Sequence, residues 1–234
     1  FNLARWVGDD PLSVVENWRR WNARYPNLNV ALLSQVHGKL VHRIDRSGIG
    51  PLTVVPNQNE LSPIGNRAEG DGMVTATAGI ALGIFTADCV PILMVDADRR
   101  IVGALHAGWR GTIAGIAGEG VHAMLALGAR PASIRAALGP SIGLCCFEVD
   151  TALAEDFARR IPGSNAHARD GRPGKAYLDL RAILLDQLHR EGLEATSIIK
   201  VGPCTRCAND RFFSRRAAGG KTSGLQMSFI GFPE

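Results

Sequence analysis

The 234-residue chain lacks any hydrophobic run long enough to cross a bilayer. Its most apolar stretch, Gly79–Val95, is broken by Thr86, Asp88, Cys89 and Pro91, whereas a helical span needs about 20 mostly apolar residues. We therefore expect no membrane partner. Aromatic residues are scarce, at 6%, and lysine occurs only at Lys39, Lys175, Lys200 and Lys221. Arginine supplies the remaining cations in scattered pairs such as Arg19–Arg20, Arg99–Arg100, Arg159–Arg160 and Arg215–Arg216. A nucleic-acid surface more often shows a basic stripe with interleaved aromatics, so no nucleic-acid partner is expected. The Arg bias is read as genome composition.

Cysteine is also limited: Cys89, Cys145, Cys146, Cys204 and Cys207. The odd count argues against a disulfide framework and for reduced thiols in a cytoplasm. Cys204 and Cys207 form a C-x-x-C, but no second one completes a zinc ribbon. Adjacent Cys145 and Cys146 do not easily turn both sulfurs to one metal. Ordinary buried thiols are the default reading, with metal or redox work by the Cys204–Cys207 pair as the alternative. The chain opens on Phe1, so a few preceding residues are expected, and no charged-then-apolar signal segment is visible.

What is present is an ordinary globular composition: 46% hydrophobic, 21% charged, net charge +4. Disorder is excluded by the apolar content, and the length suits one sizeable core. Asp10–Pro11 reads as a helix start, an N-cap followed by proline at the first helical position. Val14, Trp18 and Trp21 then follow at helical spacing to about Arg24. Residues 29–36 and 39–44 read as paired strands around a tight turn at His37–Gly38. Residues 45–70 read as a long loop. Residues 72–75, 80–86, 90–95, 100–106, 134–138, 198–201, 212–213 and 226–230 read as strands. Residues 111–127, 150–161 and 178–191 read as helices, and 162–175 as a Gly/Pro loop. The mixture without strict alternation predicts an α+β fold, with mixed β-sheets layered with α-helices in a single domain, 1–234.

Three residues sit at ends of core-forming segments: His37, Cys89 and His106. Two imidazoles and a thiolate suit zinc with a fourth position open. The competing reading is a turn His, a core Cys and a loop His with nothing in common. Two further alternatives are a metal-free hydrolase in which Cys89 is a nucleophile paired with His106, and a non-enzymatic binding module with a structural zinc. The segment His106-Ala107-Gly108-Trp109-Arg110-Gly111-Thr112 joins a strand to a helix. There Arg110 and the helix start at Gly111 could cradle a phosphate, or form only a tight turn with an exposed Arg. Asp71 is a candidate for binding substrate or moving a proton, against a plain turn-capping role. Strand alternation points Asp88 away from Cys89.

The strings SQVHG (34–38), EGDGMVT (69–75), FTADCVPILMVD (85–96), GALHAGWRGT (103–112), LGPSIGLCCFEV (138–149), YLDLRAILLDQL (177–188) and DRFFSRR (210–216) carry a resemblance. Together they resemble the YfiH family, also called the laccase-domain or multicopper polyphenol oxidase domain family, over essentially the whole chain. The resemblance implies a zinc held by His37, Cys89 and His106. It implies phosphorolysis of purine nucleosides (adenosine, inosine and methylthioadenosine) to base and ribose 1-phosphate, with adenosine deamination as a further activity. A role in cell-wall precursor editing is also attached to bacterial members. On this basis Cys89, His106, Asp71 and Arg110 are the expected catalytic residues. Arg110, Gly111, Gln35 and Arg215 are expected at substrate or phosphate, and a monomer or homodimer is expected.

The copper name can be tested in the sequence. The six histidines are His37, His42, His106, His122, His167 and His189, and no two are separated by one residue. The paired His-x-His ligands of a four-copper oxidase are absent. One departure from the family stands out. Relatives typically carry Thr-Gly-Arg after the FFS-x-RR segment, and here Leu225 stands where Arg is expected.

Overall fold

The computed structural model describes residues 1–4, 6–46, 68–221 and 224–234. The expected 45–70 loop therefore lies mostly outside the described residues. Helix α1 (Pro11–Arg24) begins as its cap dictates: the Asp10 carboxylate accepts from the Leu12 and Ser13 amides. In chain order follow β1 (Asn29–Ala31), β2 (Val41–Arg43), β3 (Gly72–Thr75), β4 (Ile80–Thr86), β5 (Val90–Asp96) and β6 (Ile101–Ala107). Then come α2 (Trp109–Ala114), α3 (Ile116–Ala126), β7 (Ile134–Leu138), β8 (Glu148–Asp150) and α4 (Thr151–Arg160). The chain ends through β9 (Ala168–Asp170), β10 (Lys175–Leu178), α5 (Leu180–Arg190), β11 (Ile198–Lys200) and β12 (Gln226–Gly231).

The strands form three sheets, ordered β1-β4-β12, β8-β10-β9 and β11-β7-β5-β6-β3-β2. Pairings are mixed: β1 is parallel to β4, while β5 and β6 are antiparallel. Strands β4 and β6 are buried along their whole length, which is why their sequences read as continuous apolar runs. Alternation still sorts their side chains. Ala81 and Phe85 of β4 pack with Val14, Trp18 and Trp21 of α1. Ile80, Leu82 and Ile84 face Met73, Val102 and Ala104 of the six-stranded sheet. The other face of that sheet, with Ile92, Met94 and Leu105, meets Val121 and Met124 of α3 and Ile183, Leu184 and Leu188 of α5. The result is an α+β fold in four layers: α1, the first sheet, the six-stranded sheet, then helices. Each Leu or Ile fully buried in these layers contributes about 1.5–3 kcal/mol of transfer free energy.

Several expectations need correction. Strands β1 and β2 do not form a hairpin; β1 joins β4 and β2 joins β3, in different sheets. The His37–Gly38 turn is where the chain crosses between them. The expected 111–127 helix starts earlier and breaks at Gly115, whose φ of 88° is left-handed. Phe212–Phe213 is not a strand; the chain bends at Phe212, and the Phe213 amide donates to the Gln226 side-chain oxygen. The expected 162–175 loop contains β9, and β8 and β10 complete a small sheet with it. The expected 29–36 strand ends at Ala31, five residues early, while most other elements fall within one or two residues of the periodicity.

Candidate metal centre

The two packed sheets bring three chain segments to one place. The first leaves β1 and turns at His37. The second is the connection from β4 to β5, carrying Cys89. The third is β6, with His106 one residue before its end, opposite Pro91 of β5. The ligand atoms of His37, Cys89 and His106 all lie within 4.8 Å of one another. The two imidazoles meet edge to face, with centroids 4.8 Å apart. His106 is buried, whereas His37 and Cys89 are partly exposed, so the cluster opens to solvent on one side.

Asp71 organises this cluster. It directly precedes β3, and the register Gly72 to Leu105 sets it across from His106. Its main-chain oxygen accepts from the His106 amide at 2.7 Å. Its Oδ1 lies 2.8 Å from His106 Nδ1 and accepts from the His37 amide at 2.9 Å. Its Oδ2 accepts from the Gly38 and Val36 amides at 2.6 and 3.3 Å. An ionised carboxylate only accepts, so His106 Nδ1 carries a proton and Nε2 is left for the cluster. The same amides hold His37 at φ 62°, a left-handed conformation that costs about 1–2 kcal/mol for a non-glycine residue. Asp71 is 0% exposed. It lies behind the His37 and His106 side chains, with its carboxylate bonded to His106 Nδ1 and to the amides of the His37 turn. The sequence clue, visible only with the register, is an Asp one residue ahead of the strand that pairs with the His106 strand.

The electrostatics follow from this geometry. Burial alone would raise the Asp71 pKa, but His106 and the Gly38 and His37 amides outweigh it and lower it. Burial alone would raise Cys89, yet His106 and His37 bring it down to about 6. Burial alone would lower His106, yet the Cys89 sulfur and the Asp71 carboxylate raise it to about 9. Without a metal, these interactions in the cluster favour a thiolate on Cys89 beside an imidazolium on His106. Glycines permit the close packing around it. A Cβ on Gly108 would sit 3.1 Å from both Cys89 Sγ and the His37 ring, and one on Gly111 would sit 2.8 Å from the Gly38 carbonyl.

The other expected residues fall in varied places. Arg110 is exposed in the first turn of α2, its guanidinium 4.3 Å from the Trp109 ring centroid. Gly111 is buried against the His37–Gly38 turn. The Gln35 amide is committed to Phe85, donating to its carbonyl at 2.8 Å and accepting from its N–H at 2.9 Å. Arg215 is exposed. Asp88 does point away from the cluster. Its carboxylate accepts from the Thr205 hydroxyl and the Arg216 amide, both at 2.7 Å. Leu225 packs against the apolar cluster of Leu3, Trp18 and Phe85. A cleft of about 660 Å³ lined by Trp21, Tyr25, Phe212 and Phe229 has none of the three ligands in its wall.

The four remaining cysteines overturn the expectation of unrelated buried thiols. Cys145 and Cys207 are exposed, and all four sulfurs lie within 4.8 Å of one another. All six histidines and five cysteines fall within the described residues, and the clusters of three or more ligands found among those residues are these two. The other histidines are spoken for singly: His42 by the Glu69 carbonyl, His122 by Glu191, His167 by Asp186 and His189 by the Leu193 carbonyl.

The profile of the family described as multi-copper polyphenol oxidoreductase laccase matches residues 1–233. A purine nucleoside phosphorylase of Mycobacterium tuberculosis (strain ATCC 25618 / H37Rv) is 38% identical over 218 residues, covering 92% of this chain and 79% of the relative. An adenosine deaminase from an unknown prokaryotic organism is 36% identical over 222 residues, covering 93% and 82%. The crystal structure of YlmD from Geobacillus stearothermophilus superposes with a TM-score of 0.86 at 34% identity, covering 100% of this chain and 85% of that one.

Proposed function

The chain belongs to the multi-copper polyphenol oxidoreductase laccase family, and from that premise we propose that it is a zinc-dependent purine nucleoside phosphorylase. Its substrates in this reading are adenosine, inosine and methylthioadenosine, cleaved by phosphate to the base and a ribose 1-phosphate. The observation that carries the reading is the partly open cluster of His37, Cys89 and His106. One thiolate and two imidazoles match zinc, and three protein ligands leave a position for substrate or water. The copper chemistry of the family's description would need further histidines, and the other four stand apart from the cluster. The names of the relatives support purine nucleosides as the substrate class.

His37, Cys89 and His106 would hold the zinc, which when bound supplies a net positive charge and Lewis acidity. Arg110, exposed beside Trp109 on the helix that follows His106, offers a two-pronged contact for phosphate. Held beside the ribose, that anion offsets the oxocarbenium-like charge that develops as the base departs. Positioning and electrostatics carry most of the acceleration in this scheme. Asp71 keeps the His106 ring turned and its Nδ1 protonated, so the ligand face does not wander. Deamination at the purine C6 is a second activity of the same site, supported by the relative named adenosine deaminase. Zinc-loaded protein incubated with inosine and phosphate is expected to release hypoxanthine. Release no greater than from a Cys89→Ala control would remove the reading.

A second reading has an observation behind it. Asp71, His106 and Cys89 are also ordered as in a Cys–His–Asp hydrolase, with the thiolate form of Cys89 favoured by His106 and His37. His37 has no part in such a triad, but completes a metal site. Elemental analysis separates the two. About one zinc at this site, lost in His37→Ala, rejects the hydrolase.

A further inference from the structure

The turn that carries Cys145 and Cys146 is closed by bonds from the Cys146 and Phe147 amides to the Gly143 carbonyl, both 2.9 Å. The turn that carries Cys204 and Cys207 is closed by the Ala208 amide on the Cys204 carbonyl at 3.0 Å. A bridge between Ser141 and Cys204, with the Thr205 amide on the Ser141 carbonyl at 3.0 Å, holds the turns against each other. Sulfurs from both meet in the gap. Cys207 Sγ lies 3.6 Å from Cys145 Sγ and 3.4 Å from Cys146 Sγ, and all four are mutually within 4.8 Å. A tetrahedral zinc with Zn–S bonds of about 2.3 Å separates its sulfurs by about 3.8 Å. The four thiols are spaced for a single small cation.

We propose that Cys145, Cys146, Cys204 and Cys207 form a second metal site, a closed four-thiolate site for zinc. The surroundings suit bound thiolates. The Gly143 amide donates to Cys204 Sγ at 3.2 Å, and the Arg206 guanidinium donates to Cys146 Sγ at 3.5 Å. Such donors temper the excess negative charge of four sulfurs around one divalent ion. The adjacent pair contributes two ligands because the tight turn brings both sulfurs within reach of the Cys204–Cys207 segment, which a fully extended Cys–Cys pair would not.

The site has a mechanical purpose. Both turns grip Asp88: the Ile142 amide donates to its carbonyl at 2.9 Å, and the Thr205 hydroxyl to its carboxylate at 2.7 Å. Asp88 holds φ 89°, left-handed, immediately before Cys89. A metal clamping the two turns therefore fixes the turn that presents Cys89. This inference does not depend on which reaction the first site performs.

The test is metal content of the full chain purified under reducing conditions, with cobalt substitution as a second readout. Wild type is expected to hold about two zinc per chain, and the Cys145→Ser/Cys207→Ser variant about one. These two cysteines are exposed, so their loss leaves the apolar core intact. His37→Ala is expected to retain one metal, and its cobalt form to show the thiolate charge-transfer and tetrahedral ligand-field bands of a four-sulfur site. Thiol alkylation of the native His37→Ala variant should proceed at Cys145 and Cys207 only after chelation. A wild-type content of one metal, fully lost in His37→Ala, overturns the proposal. So does a disulfide among these four in the reduced preparation, or alkylation that is indifferent to the chelator.

Discussion

Asp71 Oδ1 sits 2.8 Å from His106 Nδ1 while both groups are almost wholly buried. The pair decides which nitrogen of His106 is free, and the same carboxylate fixes the backbone of His37. Replacing Asp71 by Asn offers an amide where three N–H groups and a ring nitrogen require an acceptor. Zinc affinity is expected to fall about 10–100-fold, the usual effect of removing a partner that orients a metal-bound histidine. Competition with a chromophoric chelator measures it. Unchanged affinity in Asp71→Asn would mean the carboxylate merely caps a turn.

The same carboxylate predicts an acid limb of stability in the metal-free protein. Its pKa is lowered on folding from the ordinary 3.8. The stabilisation it supplies is present above that value and is lost as pH falls through the lower folded value. Denaturant melts of metal-free wild type and Asp71→Asn, run from neutral pH downward, should converge on the acid side. A gap that stays constant down to pH 2 would contradict this assignment.

Cys89 should be a reactive thiolate once the metal is stripped. Peptide-mapped alkylation at Cys89 is expected to titrate with a midpoint of about 6. In His106→Ala the midpoint should move up, since the first neighbour stabilising the thiolate is gone. A wild-type midpoint near the ordinary thiol value of 9.0 would show that the two imidazoles do not act on the sulfur.

Gly111 offers a steric test of the site. Its Cβ position lies 2.8 Å from the Gly38 carbonyl, so Gly111→Ala must push α2 and the His37 turn apart. We expect about 1–3 kcal/mol of destabilisation together with weaker zinc binding. Thermal melting and the chelator competition should respond together. A lower melting temperature with full zinc affinity would show that the turn gives way without moving His37.

Arg110→Ala separates phosphate binding from folding. The side chain is exposed and stacked on Trp109. Zinc content and melting temperature should hold, while the KM for phosphate rises by about tenfold, as for loss of one charge-assisted contact of about 1.4 kcal/mol. An unchanged phosphate KM would remove Arg110 from the site.

The layered α+β architecture was legible because β4, β5 and β6 announce themselves as apolar runs and α1 carries both a cap and a period. Cys89 and His106 were legible as candidates because they sit beside or near the end of apolar strands, whereas His37 lies six residues past the end of β1, where the expected 29–36 strand does not reach. What periodicity cannot carry is pairing. Nothing in residues 29–44 says that β1 and β2 part into different sheets, since each strand is three residues long and a turn between them suits a hairpin equally well. The bond from Asp71 to His106 depends on the register of β3 with β6 and is invisible without it. The four-cysteine cluster joins positions about 60 residues apart through two irregular turns, where no spacing rule applies. Gln35 lies in the motif beside a ligand, yet its amide serves the Phe85 backbone.

The antiparallel pairing of β12 with β4 has a consequence for the order of assembly. Residues 226–231 close the edge of a strand that ends at Thr86, about 140 residues earlier. The Asp88 contacts from Thr205 and Arg216 close loops nearly as long. Such distant closures form slowly, because the entropy of bringing the ends together comes before any contact rewards it. During synthesis, then, His37, Cys89 and His106 all emerge before the segments that lock them in place. The whole Cys/His cluster is therefore encoded ahead of the strand that closes the sheet beside it.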